Sequence, residues 1–168
     1  HATQAQGIQL FIFDVDGVMT DGKLWFGPDG ESLKAFHAHD GVALKRLQHA
    51  GITVAVISGR DSAPLRARMH ALGITHLYLG VHDKNQAQQH LAQKTGIPLS
   101  ATAYMGDDEI DRCVMKQVAL AFAPPNAMPA IQALAHHITA RPGGEGAVRD
   151  AVEQLFAWRD APLRTQPT

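Results

Sequence analysis

Short apolar runs alternate with longer segments of helical period along this chain. Ile8 to Phe13 is apolar at nearly every position, and a run without polar alternation reads as a strand buried on both faces. Ile52–Ile57, Ile74–Leu79, Ala101–Met105 and Val118–Phe122 read the same way. Between them the pattern predicts helices. Asp40 to Ala50 stops at Gly51; Asp61 to Leu72 has Asp61 as N-cap, Pro64 in its first turn and Gly73 as its stop; Asp83 to Thr95 ends at Gly96. Further helices are expected over Asp108–Lys116, from an Asn126 cap through about Ala135, and over Gly146–Trp158, with His136–Thr139 as a short edge strand. This rhythm predicts an α/β fold: a doubly wound, mostly parallel, Rossmann-like sheet with helices on both faces and right-handed crossovers. The length, 168 residues, suits a single domain over 1–168.

One segment breaks the rhythm. Lys23–Phe26 and Ser32–Phe36 flank the turn Gly27-Pro28-Asp29-Gly30 and predict a β-hairpin inserted at about 22–37. It carries Trp25 and Phe26, with too little chain around it to bury both rings. Such a hairpin is expected to be an interface between copies of the chain. Ala161 to Thr168 reads as a frayed tail.

Composition narrows the partners. A formal net charge of -1 gives no footprint for nucleic acid or an anionic membrane. No apolar run reaches the roughly 18 residues of a membrane span. His1 to Gly7 has neither a charged n-region nor an apolar h-region, so it does not read as a signal peptide. Cys113 is the one cysteine, which excludes an intrachain disulfide and favours a reducing, cytoplasmic setting. Within its helix it is expected to be a buried small hydrophobe.

The chemistry gathers at strand ends. Asp14 and Asp16 follow the first strand and Ser58-Gly59-Arg60 the second; Asp83 and Lys84 follow the third, and Gly106-Asp107-Asp108-Glu109-Ile110-Asp111 the fourth. In a doubly wound sheet these ends share one edge, so one pocket is expected rather than four sites. Close carboxylates repel unless one is protonated or a cation joins them, and aspartates suit hard Mg²⁺. The hydroxyl, the lysine and glycine-exposed amides suit a phosphoryl group. A carboxylate attacking phosphorus gives an aspartyl-phosphate.

Asp14-x-Asp16-Gly17-Val18, Ser58, Lys84 and Gly106-Asp107-Asp108-x-x-Asp111, in that order, resemble the haloacid dehalogenase superfamily of phosphohydrolases. The resemblance implies Asp14 as nucleophile and Asp16 as general acid and then base. It implies Ser58 and Lys84 on the phosphoryl oxygens, and Mg²⁺ held by Asp14, the backbone carbonyl of Asp16, and Asp107. Asp108 would support the site, and Asp111 would orient Lys84 or a metal-bound water. Across most of the chain a finer likeness appears. The hairpin, Lys34-Ala35-Phe36-His37-Ala38-His39-Asp40-Gly41, Ile57-Ser58-Gly59-Arg60, Gly73-Ile74-Thr75-His76-Leu77-Tyr78 and Gly143-Gly144-Glu145-Gly146-Ala147-Val148-Arg149 resemble the capless 3-deoxy-D-manno-octulosonate 8-phosphate phosphatases. That family implies no large cap domain, a homotetramer built through the hairpins, and Gly59, Arg60 and Arg68 among the substrate-binding residues. His39 and Glu145 stand where the family commonly has basic residues, Arg in the first case.

Three rivals remain at this level: a phosphatase for a nine-carbon, sialic-acid-type 9-phosphate, a catalytically degenerate binding or assembly module, and a phosphotransferase. Blander readings also stand beside the motifs. Asp14 and Asp16 could cap a turn, Ser58 could serve only its turn, and Lys84 could be a solvated helix-start residue, although the macrodipole disfavours it there. Asp21 is expected to hold the loop after Gly17. His37 and His39, read as one face of a strand, have no third ligand at sensible spacing. Phe156 and Trp158 are expected to pack the last helix.

Overall fold

The computed structural model describes residues 1–161. Its main sheet has six strands, all parallel: β1 Leu10–Phe13, β4 Thr53–Ser58, β5 His76–Leu79, β6 Thr102–Met105, β7 Leu120–Ala123 and β8 His137–Ile138, in the order β5-β4-β1-β6-β7-β8. Because alternate side chains leave opposite faces of a strand, each central strand feeds two cores. Phe11, Phe13, Val54, Val56, Met105 and Phe122 pack on one face with Leu44 and Leu47 of α2 (Ala38–His49), Met69 of α3 (Ala63–Ala71) and Val152 and Leu155 of α7 (Ala147–Asp160). Leu10, Ile12, Ile57 and Tyr104 pack on the other with Leu91 of α4 (Lys84–Thr95), Val114 of α5 (Arg112–Met115) and Ile131 of α6 (Pro129–Leu134). A short α1 (Ala2–Gln6) precedes β1. Burial on both faces is why these strands show no polar alternation.

The hairpin forms its own two-stranded sheet, β2 (Trp25–Gly27) with β3 (Gly30–Leu33). The pairing lies closer to the turn than 23–26 with 32–36: Gly27 pairs with Gly30 across a two-residue loop, and Gly30 sits at φ +108. Trp25 and Phe26 remain 52% and 62% exposed, with Leu24 and Leu33 also exposed.

Several local expectations need correction. Ser62, not Asp61, caps α3, its side chain accepting from the Leu65 amide, while Asp61 pairs with Arg66. The segment after Asp108 is a 3₁₀ turn, Glu109–Asp111, followed by the four-residue α5. That change of winding turns Val114 and Met115 inward and leaves Cys113 exposed rather than buried. His37 and His39 lie at a helix start, not on a strand; His37 Nδ1 caps α2 through the His39 amide. Asn126 caps nothing: α6 begins after Met128, and Asn126 has another task described below. Trp158 and Phe156 pack against the first core, as expected. Beyond Ala161 the tail lies outside the described residues. No helix among them is long and apolar enough to cross a membrane.

Candidate active site

From β1 the chain moves outward to β4 and β5, then returns to build β6, β7 and β8 on the other side. The carboxyl end of β1 is therefore the switch point at which open α/β sheets bind ligands. Asp14 stands there between β4 and β6, its amide bonded to the Met105 carbonyl. Lys84, the first residue of α4, reaches it from the third strand end. The Lys84 side chain is 1% exposed, with Nζ 3.0 Å from Asp14 Oδ1 and 2.7 Å from Asp111 Oδ1. Asp111 Oδ1 also accepts from the Tyr104 hydroxyl at 2.6 Å, and Oδ2 from the amides of Asp107 and Asp108. Asp111 thus anchors Lys84 and braces the loop that carries Asp107. Asp108 caps the 3₁₀ turn.

Asp14, Asp107 and Asp111 bring carboxylate oxygens within 4.8 Å of one another. Glycine makes this approach possible. A Cβ on Gly17, which sits at φ +85, would lie 1.9 Å from Asp107 Oδ2. Asp16 differs from its neighbours. Its carboxylate turns to Lys34 Nζ at 2.6 Å, with Arg60 Nε 3.9 Å from its other oxygen. Three loop amides, those of Val18, Met19 and Thr20, donate to the Val15 carbonyl, and among the described residues no backbone amide donates to that of Asp16. The buried Asp14 carboxylate, the half-buried Asp107 carboxylate and an open carbonyl are hard oxygen donors of the kind Mg²⁺ takes, and Asp111, committed to Lys84, Tyr104 and two amides, is less available.

The charge balance points the same way. Burial, then the Asp111 charge, push the Asp14 carboxyl well above the ordinary range, and Lys84 offsets this only in part. Burial and Asp111 push Asp107 up as well. Burial works against the Lys84 ammonium, but Asp14 and Asp111 outweigh it and hold the lysine charged. One lysine among three carboxylates, two buried and one half-buried, leaves negative charge that a divalent cation would balance.

Ser58 ends β4, buried, its Oγ accepting from the Arg60 amide at 3.2 Å. Gly59 lies against Val81 and Ile110, and Arg60 is partly open at the mouth beside Asp16. Arg68 is set apart from this group. It packs on Gly41 in a small cavity with Phe36, His37 and Asp40, and forms no ion pair among the described residues. Asp21 holds the loop after Gly17 through the Lys23 amide.

Some of the site was not foreseen. Asn126 joins two loops, its Nδ2 donating to the Gly17 carbonyl and its Oδ1 accepting from the Gly143 amide. Gly143 and Gly144 press on the loop 17–21, where a Cβ on Gly143 would sit 2.0 Å from the Gly17 oxygen. The available signal was position: Asn126 follows the fifth strand and thus shares the active edge. Glu31 and Lys34 enter the site from the hairpin, with no spacing rule to mark them.

Known proteins share this sequence and fold. Residues 77–150 match the family model of haloacid dehalogenase-like hydrolases. The 3-deoxy-D-manno-octulosonate 8-phosphate phosphatase of Yersinia pestis is 43% identical over 157 residues, covering 94% of this chain and 84% of its own. Its crystal structure superposes with a TM-score of 0.91 at 42% identity, over 95% of this chain and 86% of that one. The Moraxella catarrhalis phosphatase of the same name, solved with a magnesium ion, a phosphate ion and KDO, superposes with a TM-score of 0.90 at 37% identity, over 95% of this chain and 91% of that one. A shared fold and identity at this level over nearly the whole chain lead to one conclusion: the chain belongs to the haloacid dehalogenase-like hydrolases, in the family of the 3-deoxy-D-manno-octulosonate 8-phosphate phosphatases.

Proposed function

We infer that the chain is a Mg²⁺-dependent phosphatase that hydrolyses 3-deoxy-D-manno-octulosonate 8-phosphate to the free sugar acid and phosphate. The observation that carries this reading is the convergence of Asp14, Lys84 and Asp107 from three strand ends onto one buried, over-acidic pocket. The relatives' substrate, and the magnesium, phosphate and sugar acid held by the Moraxella enzyme, support it.

The chemistry follows from the residues. An Asp14 oxygen attacks phosphorus, and the bond from phosphorus to the sugar's C8 oxygen breaks. Asp16 gives its proton to that departing oxygen, then takes one from the water that cleaves the aspartyl-phosphate. Ser58 Oγ, the Gly59 amide and Lys84 hold phosphoryl oxygens, with Lys84 kept in place by Asp111. Asp14, Asp107 and the Asp16 carbonyl would hold Mg²⁺, whose charge would offset that of the transferring phosphoryl group. Arg60 at the mouth receives the substrate carboxylate, which guanidinium binds well; Arg68, which packs on Gly41 away from the mouth, has no part in this step.

The exposed rings of Trp25 and Phe26 support a homotetramer assembled through the hairpins. The lone cysteine fits a reducing cytoplasm, where the enzyme would serve lipopolysaccharide sugar synthesis. Arg60 favours the eight-carbon acid over the nine-carbon rival, since members acting on the latter often carry Glu at that position. Phosphate release from both substrates, assayed side by side in plain buffer, tests the reading. Faster turnover of the eight-carbon ester is expected; equal or better turnover of the nine-carbon ester would overturn the substrate assignment.

A further inference from the structure

The hairpin delivers two charged side chains to the mouth of the site. Lys34 follows β3, and its side chain is 1% exposed. It pairs with Asp16 Oδ1 at 2.6 Å and with Glu31 at 2.5 Å. Glu31 in turn accepts from Arg60 Nη2 at 3.3 Å, and Arg60 Nε lies 3.9 Å from Asp16 Oδ2. Asp16, Lys34, Glu31 and Arg60 therefore close a four-membered ring of alternating charge. Two facts set this apart from a surface ion pair. The lysine head is closed to water, and its partner is a residue that the chemistry needs in one orientation. Stability is a weak reason for such burial, since desolvating two charges offsets most of what their pairing gains. Orientation is a stronger one: Lys34 holds one oxygen of Asp16, and the other remains for the reacting bond.

We propose that Lys34, fixed by Glu31, is the positioning residue for Asp16, so that the hairpin sets the aim of the acid as well as offering an apolar surface. The inference rests on Asp16 acting as the general acid. Lys34 makes no ion pair with Asp14, so its removal strikes protonation of the leaving oxygen and spares the attack on phosphorus.

Leaving groups separate the two. The C8 alkoxide of the sugar acid needs a proton to depart, whereas p-nitrophenolate departs without one. The test compares kcat/KM, which reads the steps through phosphoryl transfer to Asp14, for octulosonate 8-phosphate and p-nitrophenyl phosphate. The proteins are the wild type, Lys34→Met, Glu31→Gln, Lys34→Arg and Asp16→Asn. General acids contribute about 10²- to 10⁴-fold. Lys34→Met is expected to lose roughly 10- to 100-fold on the sugar phosphate, as a fraction of that contribution, and under about 3-fold on the aryl ester. Glu31→Gln should lose less with the same selectivity, and Lys34→Arg should recover part of the loss. Equal losses on both substrates, or no loss on either, would overturn the proposal. If Asp16→Asn is selective and the Lys34 and Glu31 variants are not, the proposal fails while the role of Asp16 stands. If Asp16→Asn spares the sugar phosphate, both fail. Should Lys34→Met not fold, Glu31→Gln carries the same comparison.

Discussion

At the scale of single residues, one carboxylate is separated from its neighbours by what it touches. Asp14 and Asp16 are two positions apart, yet Asp14 faces Lys84 in the buried acidic pocket and Asp16 faces Lys34 at the rim. Lys84→Met leaves Asp14 and Asp111 buried without their counter-charge. Losing one member of a buried pair costs about 3–5 kcal/mol, and a divalent ion, bound more tightly by carboxylates that have lost the lysine charge than by the wild type, would return part of it by mass action. The urea midpoint should therefore fall further in chelator than in excess Mg²⁺; an equal fall in both would contradict cation binding beside Lys84. Asp40 gives a separate pH signature. Burial raises its carboxyl to about 6, the Arg149 amide opposing. The folded state then keeps a proton between pH ~4 and ~6 that the unfolded chain has released, so this group's contribution to stability declines as pH rises through that window. Two pH units correspond to roughly 3 kcal/mol. Relative to wild type in saturating Mg²⁺, Asp40→Asn should gain stability between pH 4 and 7; a flat difference would contradict the assignment.

At the scale of elements, the site depends on loops that press together more tightly than side chains allow. The loop 143–144 lies on the loop 17–21, and Asn126 ties both. Asn126→Ala removes two hydrogen bonds and leaves buried backbone groups unpaired, at about 1–3 kcal/mol. It should lower the melting temperature and kcat together; unchanged kcat would show that the loop 17–21 holds its shape without this tie. The hairpin is the second such element. A Trp25→Ser, Phe26→Ser double variant should sediment as a smaller species than the wild type at equal concentration, and an unchanged sedimentation coefficient would place the interface elsewhere. Strand positions were legible because each central strand is covered on both faces and must be apolar. Short-range details were less so. The N-cap of α3 fell one residue later, on Ser62, because Asp61 is taken by Arg66. Cys113 is exposed because a 3₁₀ turn changes the phase of the helix that carries it.

At the scale of the whole molecule, the order of motifs along the chain becomes proximity through the sheet. Strands β4 and β6 flank β1, so Ser58 and Asp107 must end up on either side of Asp14, and that much could be read from spacing and strand order. Lys84 comes from the edge strand's loop and reaches inward by its length, which the sequence suggested through its position after the third strand. What spacing could not convey is contact across the fold between segments with no shared period: Lys34 onto Asp16, Glu31 onto Arg60, and Asn126 between two glycine loops. Polar residues of this kind carry no hydrophobic pattern, and their partners are more than a dozen positions away. The central claim is that these loops aim Asp14 at phosphorus. Acid-quenching turnover of sugar phosphate radiolabelled at its phosphoryl group, followed by peptide mapping, tests it directly. Label is expected on the peptide holding Asp14 and absent in Asp14→Asn, whose circular dichroism should match the wild type. Label on another residue, or turnover that survives Asp14→Asn, would contradict the account.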